Sequence, residues 1–153
     1  FFRTDLREEV PLGRGFEVPI GRAIVRRLGT DLSIFTYGAM VWTALAAADR
    51  LAGLGIDAEV VDLRSLWPLD EEAVFASVAK TSRALLLHED TLRGGFGAEV
   101  AARIAERAFF HLDAPIARLG APDTPIPYSP PLEYDFLPKM EQVVDAARAL
   151  TRL

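Results

Sequence analysis

His88, Glu89 and Asp90 stand together after the apolar run Leu85-Leu86-Leu87, and Gly94-Gly95-Phe96-Gly97-Ala98-Glu99 follows within a few residues. An imidazole beside two carboxylates has the makings of acid–base chemistry, because a free histidine titrates in the useful range and a carboxylate can orient it. His88 and Glu89 are the candidate pair. A glycine-rich turn opening a helix presents free amides to an anion. Each feature also has a plainer role open to it. His88 can hydrogen-bond loop backbone, and no serine, cysteine or second histidine accompanies it. The glycines depart from a dinucleotide fingerprint, since Val100 stands where the third glycine belongs, and no lysine follows as in a P-loop. Glu99 would repel a phosphate as well. Close helix packing is therefore the expectation for Gly94, Gly95 and Gly97. His111, after Phe109-Phe110 at a helix end, suits the negative end of the helix dipole. No His-x-x-x-His, cysteine pair or EF-hand pattern offers a metal site.

Alternating strand and helix patterns must position these residues. Asp5 to Pro19 mixes charge with Gly13, Gly15, Pro11 and Pro19, the composition of a connector. Ile20 to Leu28 alternates and predicts a short edge strand kept polar by Arg22, Arg26 and Arg27. Leu32 to Tyr37 is β-rich and closed by Gly38, and Met40 to Leu54 predicts a helix stopped by Gly53 and Gly55. Ala58 to Leu63 reads as the next strand. Asp70 is then placed to cap a helix with Glu71 and Glu72 at its positive end and Lys80 and Arg83 at or past its negative end. Ala84 to Leu87 predicts a strand buried on both faces at the middle of the sheet, with His88, Glu89 and Asp90 emerging beyond it. Ligands in open α/β sheets gather outside the carboxyl ends of the strands, so the most polar cluster falls where a site belongs. Phe96 to Phe110 predicts a helix, Ile116 to Leu119 a strand, and Pro138 to Leu150 a last helix with Met140, Val143, Val144 and Ala147 on one stripe. Between Gly120 and Pro138 the prolines Pro122, Pro125, Pro127, Pro130 and Pro131 predict a stiff loop without helix, an interface more than a lid.

Composition narrows the function. The chain has 153 residues, 50% hydrophobic and 25% charged, with no cysteine and a net charge of -5. One domain of this size buries roughly 70% of its unfolded surface. The negative charge argues against nucleic acid and against an anionic membrane as partner, and no 20-residue apolar span suggests a membrane segment. Thiol chemistry is excluded, and a reducing compartment is the expectation. The chain begins Phe1-Phe2-Arg3-Thr4, without initiator methionine or signal pattern, and reads as a piece of something longer.

The ordered series Glu9-Val10-Pro11, Thr36-Tyr37-Gly38-Ala39-Met40-Val41, Asp62-Leu63-Arg64-Ser65-Leu66-Trp67-Pro68-Leu69-Asp70, Val78-Ala79-Lys80-Thr81, His88-Glu89, Gly94 to Glu99, Leu112-Asp113-Ala114-Pro115 and Pro122 to Tyr128 resembles the C-terminal domain of the E1 beta subunit of 2-oxoacid dehydrogenase complexes. The Gly94 to Ala98 stretch leans toward the branched-chain type over the pyruvate type. The resemblance implies a transketolase-type C-terminal domain: a three-layer α/β/α architecture with a mostly parallel five-stranded sheet and one antiparallel edge. Residues 1–19 would be a linker from a missing N-terminal domain, and residues 20–153 the domain itself. In that family a heterotetramer of two alpha and two beta subunits uses thiamine diphosphate and Mg²⁺ to decarboxylate a 2-oxoacid and acylate the lipoyl group of E2. The cofactor lies between the alpha subunit and the beta subunit's N-terminal domain, so this chain is expected to bind no cofactor or metal and to have no decarboxylase activity alone. Its absence of asparagine agrees, because the diphosphate–Mg²⁺ motif begins Gly-Asp-Gly and ends in Asn. The domain's expected work is beta–beta packing and docking of the basic E2 peripheral subunit-binding domain. The resemblance assigns that docking to Asp113 and, where Leu153 is the native terminus, to its carboxylate, while a turn or capping role before Pro115 is open to Asp113. A cytoplasmic, bacterial-type setting is expected, with the mitochondrial matrix as alternative. Two other identities stay open: the C-terminal domain of another transketolase-like enzyme, such as a deoxyxylulose phosphate synthase, and a stand-alone doubly wound binding domain.

Overall fold

A computed structural model describes residues 17–152. In chain order the strands are β1 (Ile24–Arg27), β2 (Leu32–Thr36), β3 (Ala58–Asp62), β4 (Ala84–Thr91) and β5 (Ala117–Ala121), and the helices are α1 (Met40–Ala52), α2 (Glu71–Thr81), α3 (Phe96–Arg107), α4 (Pro130–Phe136) and α5 (Met140–Leu150). The five strands form one sheet in the order β1-β3-β2-β4-β5. Every pairing is parallel except β1 with β3, so the expected architecture and its antiparallel edge are present.

Alternation along the strands divides the core in two. Leu32, Ile34, Val60, Leu85 and Leu87 pack with Ala44, Leu51, Val143 and Ala147 of α1 and α5. Phe35, Val61, Ala84 and Leu86 pack on the other side with Val74, Val78, Val100 and Ile104 of α2 and α3. Successive strand residues point to opposite faces, so strands made almost wholly of apolar residues are what two helix layers require. Asp70 caps α2 as expected, its Oδ1 accepting from Ala73 N at 3.2 Å, and its other oxygen accepts from Ala23 N at 3.0 Å. Arg26 ties the edge strand to β3 through Asp62 at 3.1 Å. No helix among the described residues is long and apolar enough to cross a membrane.

Three expectations are corrected. The middle of the sheet is β2, because the chain adds β3 on one side of it and then crosses to add β4 on the other; β4 lies second from the edge. His88, Glu89 and Asp90 do not leave the sheet at Leu87. They continue β4, which resumes pairing with β5 at Thr91↔Ala121 after a register irregularity. The proline-rich segment does contain a helix, α4, with Pro130 and Pro131 in its first turn. A proline there lacks an amide that would have no intrahelical partner anyway, so the cost argued for a helix interior does not arise. The expected connector lies almost entirely outside the described residues, as does Leu153.

Candidate functional site

Parallel strands give the sheet two distinct ends, and the candidate residues divide between them. At the carboxyl end, His88 is buried among three glycines, its residue only 1% exposed. Its Nδ1–H donates to the Asp90 carbonyl at 3.0 Å, which fixes the proton on Nδ1, because a carbonyl can only accept. Nε2 has no hydrogen-bond partner among the described residues. The Tyr37 ring stacks near-parallel to the imidazole, with centroids 6.2 Å apart. A Cβ built on Gly97 would fall 2.3 Å from His88 Cδ2, and one on Gly95 or Gly120 would fall 2.9 or 2.8 Å from Cε1. Glycine here lets α3 and β5 close on the ring, the close packing expected of Gly95 and Gly97. Gly94 has open space where a side chain would go and serves the turn through its positive φ of 78°.

No hydrogen bond joins Glu89 to the imidazole, whose Nδ1 is taken by the Asp90 carbonyl and whose Nε2 has no partner among the described residues, so that carboxylate does not orient it. Glu89 and Asp90 are exposed. Burial lowers the His88 pKa below its ordinary 6.5, opposed by the bond to the Asp90 carbonyl and by the Asp90 charge, and aided by Arg118. A base whose folded-state pKa is depressed binds its proton more readily when unfolded. Its stabilising contribution is therefore full above 6.5 and is lost as pH falls toward the folded-state pKa. Thermal or urea denaturation as a function of pH should show stability declining below about pH 6.5 with a slope of up to 1.4 kcal/mol per pH unit from this one group. The His88→Gln variant should be less stable at neutral pH and lose that component of the slope. An unchanged slope would place the acid sensitivity elsewhere.

At the amino end, Asp113 is exposed in the connection that enters β5. Its backbone N–H donates to Ser82 O at 2.8 Å. Next along the chain, Arg83 Nε donates to Leu150 O at 3.0 Å. Two consecutive residues thus hold both Asp113 and the last turn of α5 at one corner of the fold. Beside that corner runs a groove of about 480 Å³ lined by Ala105, Phe109, Leu112, Asp113, Ala114 and Pro115. Phe109 and Phe110 meet edge to face at 5.6 Å at this corner, and Phe110 is 98% exposed. An apolar groove with an unscreened carboxylate at its rim suits a basic partner with apolar anchors. The structure therefore brings Asp113 close to the end of α5 and keeps both far from His88 and Glu89.

Tyr37, Gly120, the Ser82–Arg83 link and the phenylalanine pair were not singled out as site components by the sequence pattern. Gly120 carried a signal, since a glycine inside a strand marks a close backbone approach. So did Phe109-Phe110, two large apolar residues at a helix end with no following strand to cover them.

Comparison with known proteins bears on the fold. Residues 21–143 match the family described as transketolase, C-terminal domain. The chain is 47% identical over 146 residues to the 2-oxoisovalerate dehydrogenase subunit beta of Bacillus subtilis (strain 168), covering 95% of this chain and 44% of that protein. It is 48% identical over 142 residues to the pyruvate dehydrogenase E1 component subunit beta of the same organism, covering 93% of this chain and 43% of that one. Among solved structures, a split-gene transketolase in an inactive beta4 tetramer superposes with a TM-score of 0.78 at 31% identity, over 89% of this chain and 44% of that chain. The chain thus spans less than half the length of the relatives it matches. With the sheet order, the helix layers and the family match in agreement, the chain belongs to the transketolase C-terminal domain family.

Proposed function

We propose that this chain is the C-terminal domain of the beta subunit of a 2-oxoacid dehydrogenase E1, an oxidoreductase with a disulfide acceptor that decarboxylates a 2-oxoacid and acylates the lipoyl group of E2. A branched-chain 2-oxoacid such as 2-oxoisovalerate is preferred over pyruvate on the Gly94 to Ala98 stretch alone. The parent would use thiamine diphosphate and Mg²⁺ in a cytoplasmic heterotetramer with the alpha subunit. The residues of this chain do not fit that cofactor. It has no asparagine and no Gly-Asp-Gly triplet, and no group of three or more His, Asp or Glu among the described residues could hold a metal ion. Its contribution is therefore association and docking, with residues 1–19 as the linker that precedes it. His88 holds the carboxyl-end loops in place.

The observation that carries this reading is the amino-end corner, where Asp113 and the last turn of α5 are tied to Ser82 and Arg83 beside an apolar groove. A basic subunit-binding domain would meet Asp113, and Leu153, where it is the native terminus, would add a second charge through its carboxylate. Calorimetric titration of the chain with the peripheral subunit-binding domain of its own organism's E2 is the test. Asp113→Ala should weaken binding about tenfold and flatten its salt dependence, and deletion of Leu153 should also weaken it. Equal affinity for all three proteins would remove the docking role from this corner.

A further inference from the structure

The connections after β2 and β4 leave on opposite faces of the sheet, β2 into α1 and β4 into α3. These strands are neighbours, so the chain parts between them and opens a crevice at their carboxyl ends, the position where open α/β sheets bind ligands. A pocket of about 390 Å³ occupies this place, lined by Tyr37, Leu66, Phe96 and Phe136 with the carboxylates Glu89 and Asp90. An aromatic and aliphatic lining with a few convergent polar groups is the usual make-up of a small-molecule site.

The charges choose the ligand. Glu89 and Asp90 make no ion pair among the described residues. Arg93 is paired with Asp123 at 3.3 Å, and Arg118, which donates to the Leu92 carbonyl at 3.2 Å, makes no ion pair with either carboxylate. Tyr37 registers the resulting field, its pKa pushed up to about 12 by burial first and then by the Asp90 and Glu89 charges. The phenol stays neutral, and an anion would be repelled. No group of three or more His, Asp or Glu among the described residues gathers here to hold a metal ion.

We propose that this pocket binds a compact organic cation with an apolar stem, an alkylammonium or alkylguanidinium, whose charge meets Glu89 and Asp90 while its stem lies along Phe96, Phe136 and Tyr37. Aromatic faces attract such cations in addition to burying their carbon. The same chemistry could arrive as a free metabolite or as the tip of a lysine or arginine from a neighbouring subunit. The proposal rests on this pocket alone and is independent of the docking corner at the other end of the sheet.

The probes are n-butylguanidinium and n-butylammonium, with butyramide as the neutral isostere. Each is titrated into the 153-residue chain and into the intact parent assembly, following the amide shifts of Gly38, Glu89 and Asp90 and the ultraviolet titration of Tyr37. A ligand of so few atoms should bind at about millimolar affinity. The cations should saturate and butyramide should not, the Tyr37 titration should move down when a cation is bound, and Glu89→Gln with Asp90→Asn should weaken binding at least about tenfold. Both substituted side chains are exposed, and a melting curve of the double variant verifies its fold. Binding by the chain that disappears in the assembly assigns the cation to a neighbouring subunit; binding by both assigns it to a free ligand. Failure of the cations to bind either protein, or an equal response to butyramide, overturns the proposal.

Discussion

Replacing Gly97 by alanine is expected to lower folding stability by about 3 kcal/mol, the upper part of the range for forcing atoms into a packed interior. The new methyl would stand 2.3 Å from His88 Cδ2 and 2.4 Å from Nε2. The ring has no free direction in which to retreat. Gly95 and Gly120 close on its opposite edge, Tyr37 stacks on its face, and its Nδ1–H is committed to the Asp90 carbonyl. Relief must therefore come from moving α3 away from β4, at the expense of Val100 and Ile104, both fully buried. Urea denaturation of Gly97→Ala, His88→Ala and the double variant measures the coupling between them. The double variant should be much less destabilised than the sum of the two, because removing the imidazole gives the methyl its space. A single variant within about 0.5 kcal/mol of the native chain would show that α3 yields at low cost.

The Lys80→Met variant should lose about 2 kcal/mol. Glu59 is 1% exposed on β3, where its carboxylate accepts from Ser77 Oγ at 2.5 Å and from Lys80 Nζ. Ser77 in turn meets Ser33 at 2.6 Å, and Ser33 meets Thr81 at 2.6 Å, so one buried polar chain fastens α2 to β2 and β3. Methionine preserves the aliphatic stem and leaves the carboxylate without its cation. Breaking a fully buried pair costs about 3–5 kcal/mol, and the smaller figure applies here because the Lys80 side chain is 41% exposed and water can partly replace it. Adding Glu59→Gln to Lys80→Met should recover much of the loss, since the amide carries no charge to strand. Denaturant midpoints of the four proteins in that cycle decide the matter; a double variant no better than Lys80→Met would locate the destabilisation in lost packing of the lysine stem.

Glu59 also shows where sequence periodicity stops informing. Within Ala58-Glu59-Val60-Val61 a lone acid would ordinarily mark a solvent-facing position, yet α2 covers it, and its partners come from residues 18 and 21 positions later. The elements themselves were legible because each rested on local features: apolar strands, the Asp70 cap, and glycines that end helices. The extension of β4 through His88 was not, because it depends on β5 pairing again past the irregularity, and pairing between distant strands leaves no local mark. The α4 helix is masked in the sequence because prolines that would break a helix interior are tolerated in a first turn, where Pro130 and Pro131 stand. At the candidate sites the histidine and the glycines were visible as separate features, but their mutual contact required the fold. The proximity of Asp113 to α5 came likewise from Ser82 and Arg83, which carry no motif.

The two ends of the sheet have a bearing on how such a domain is inherited. The corner with Asp113 and the crevice with Glu89 share no residue and are separated by the full length of the buried strands. Substitution at one leaves the other's geometry to the same unchanged core. A lineage could therefore retain the residues of one end while altering those of the other on the same scaffold.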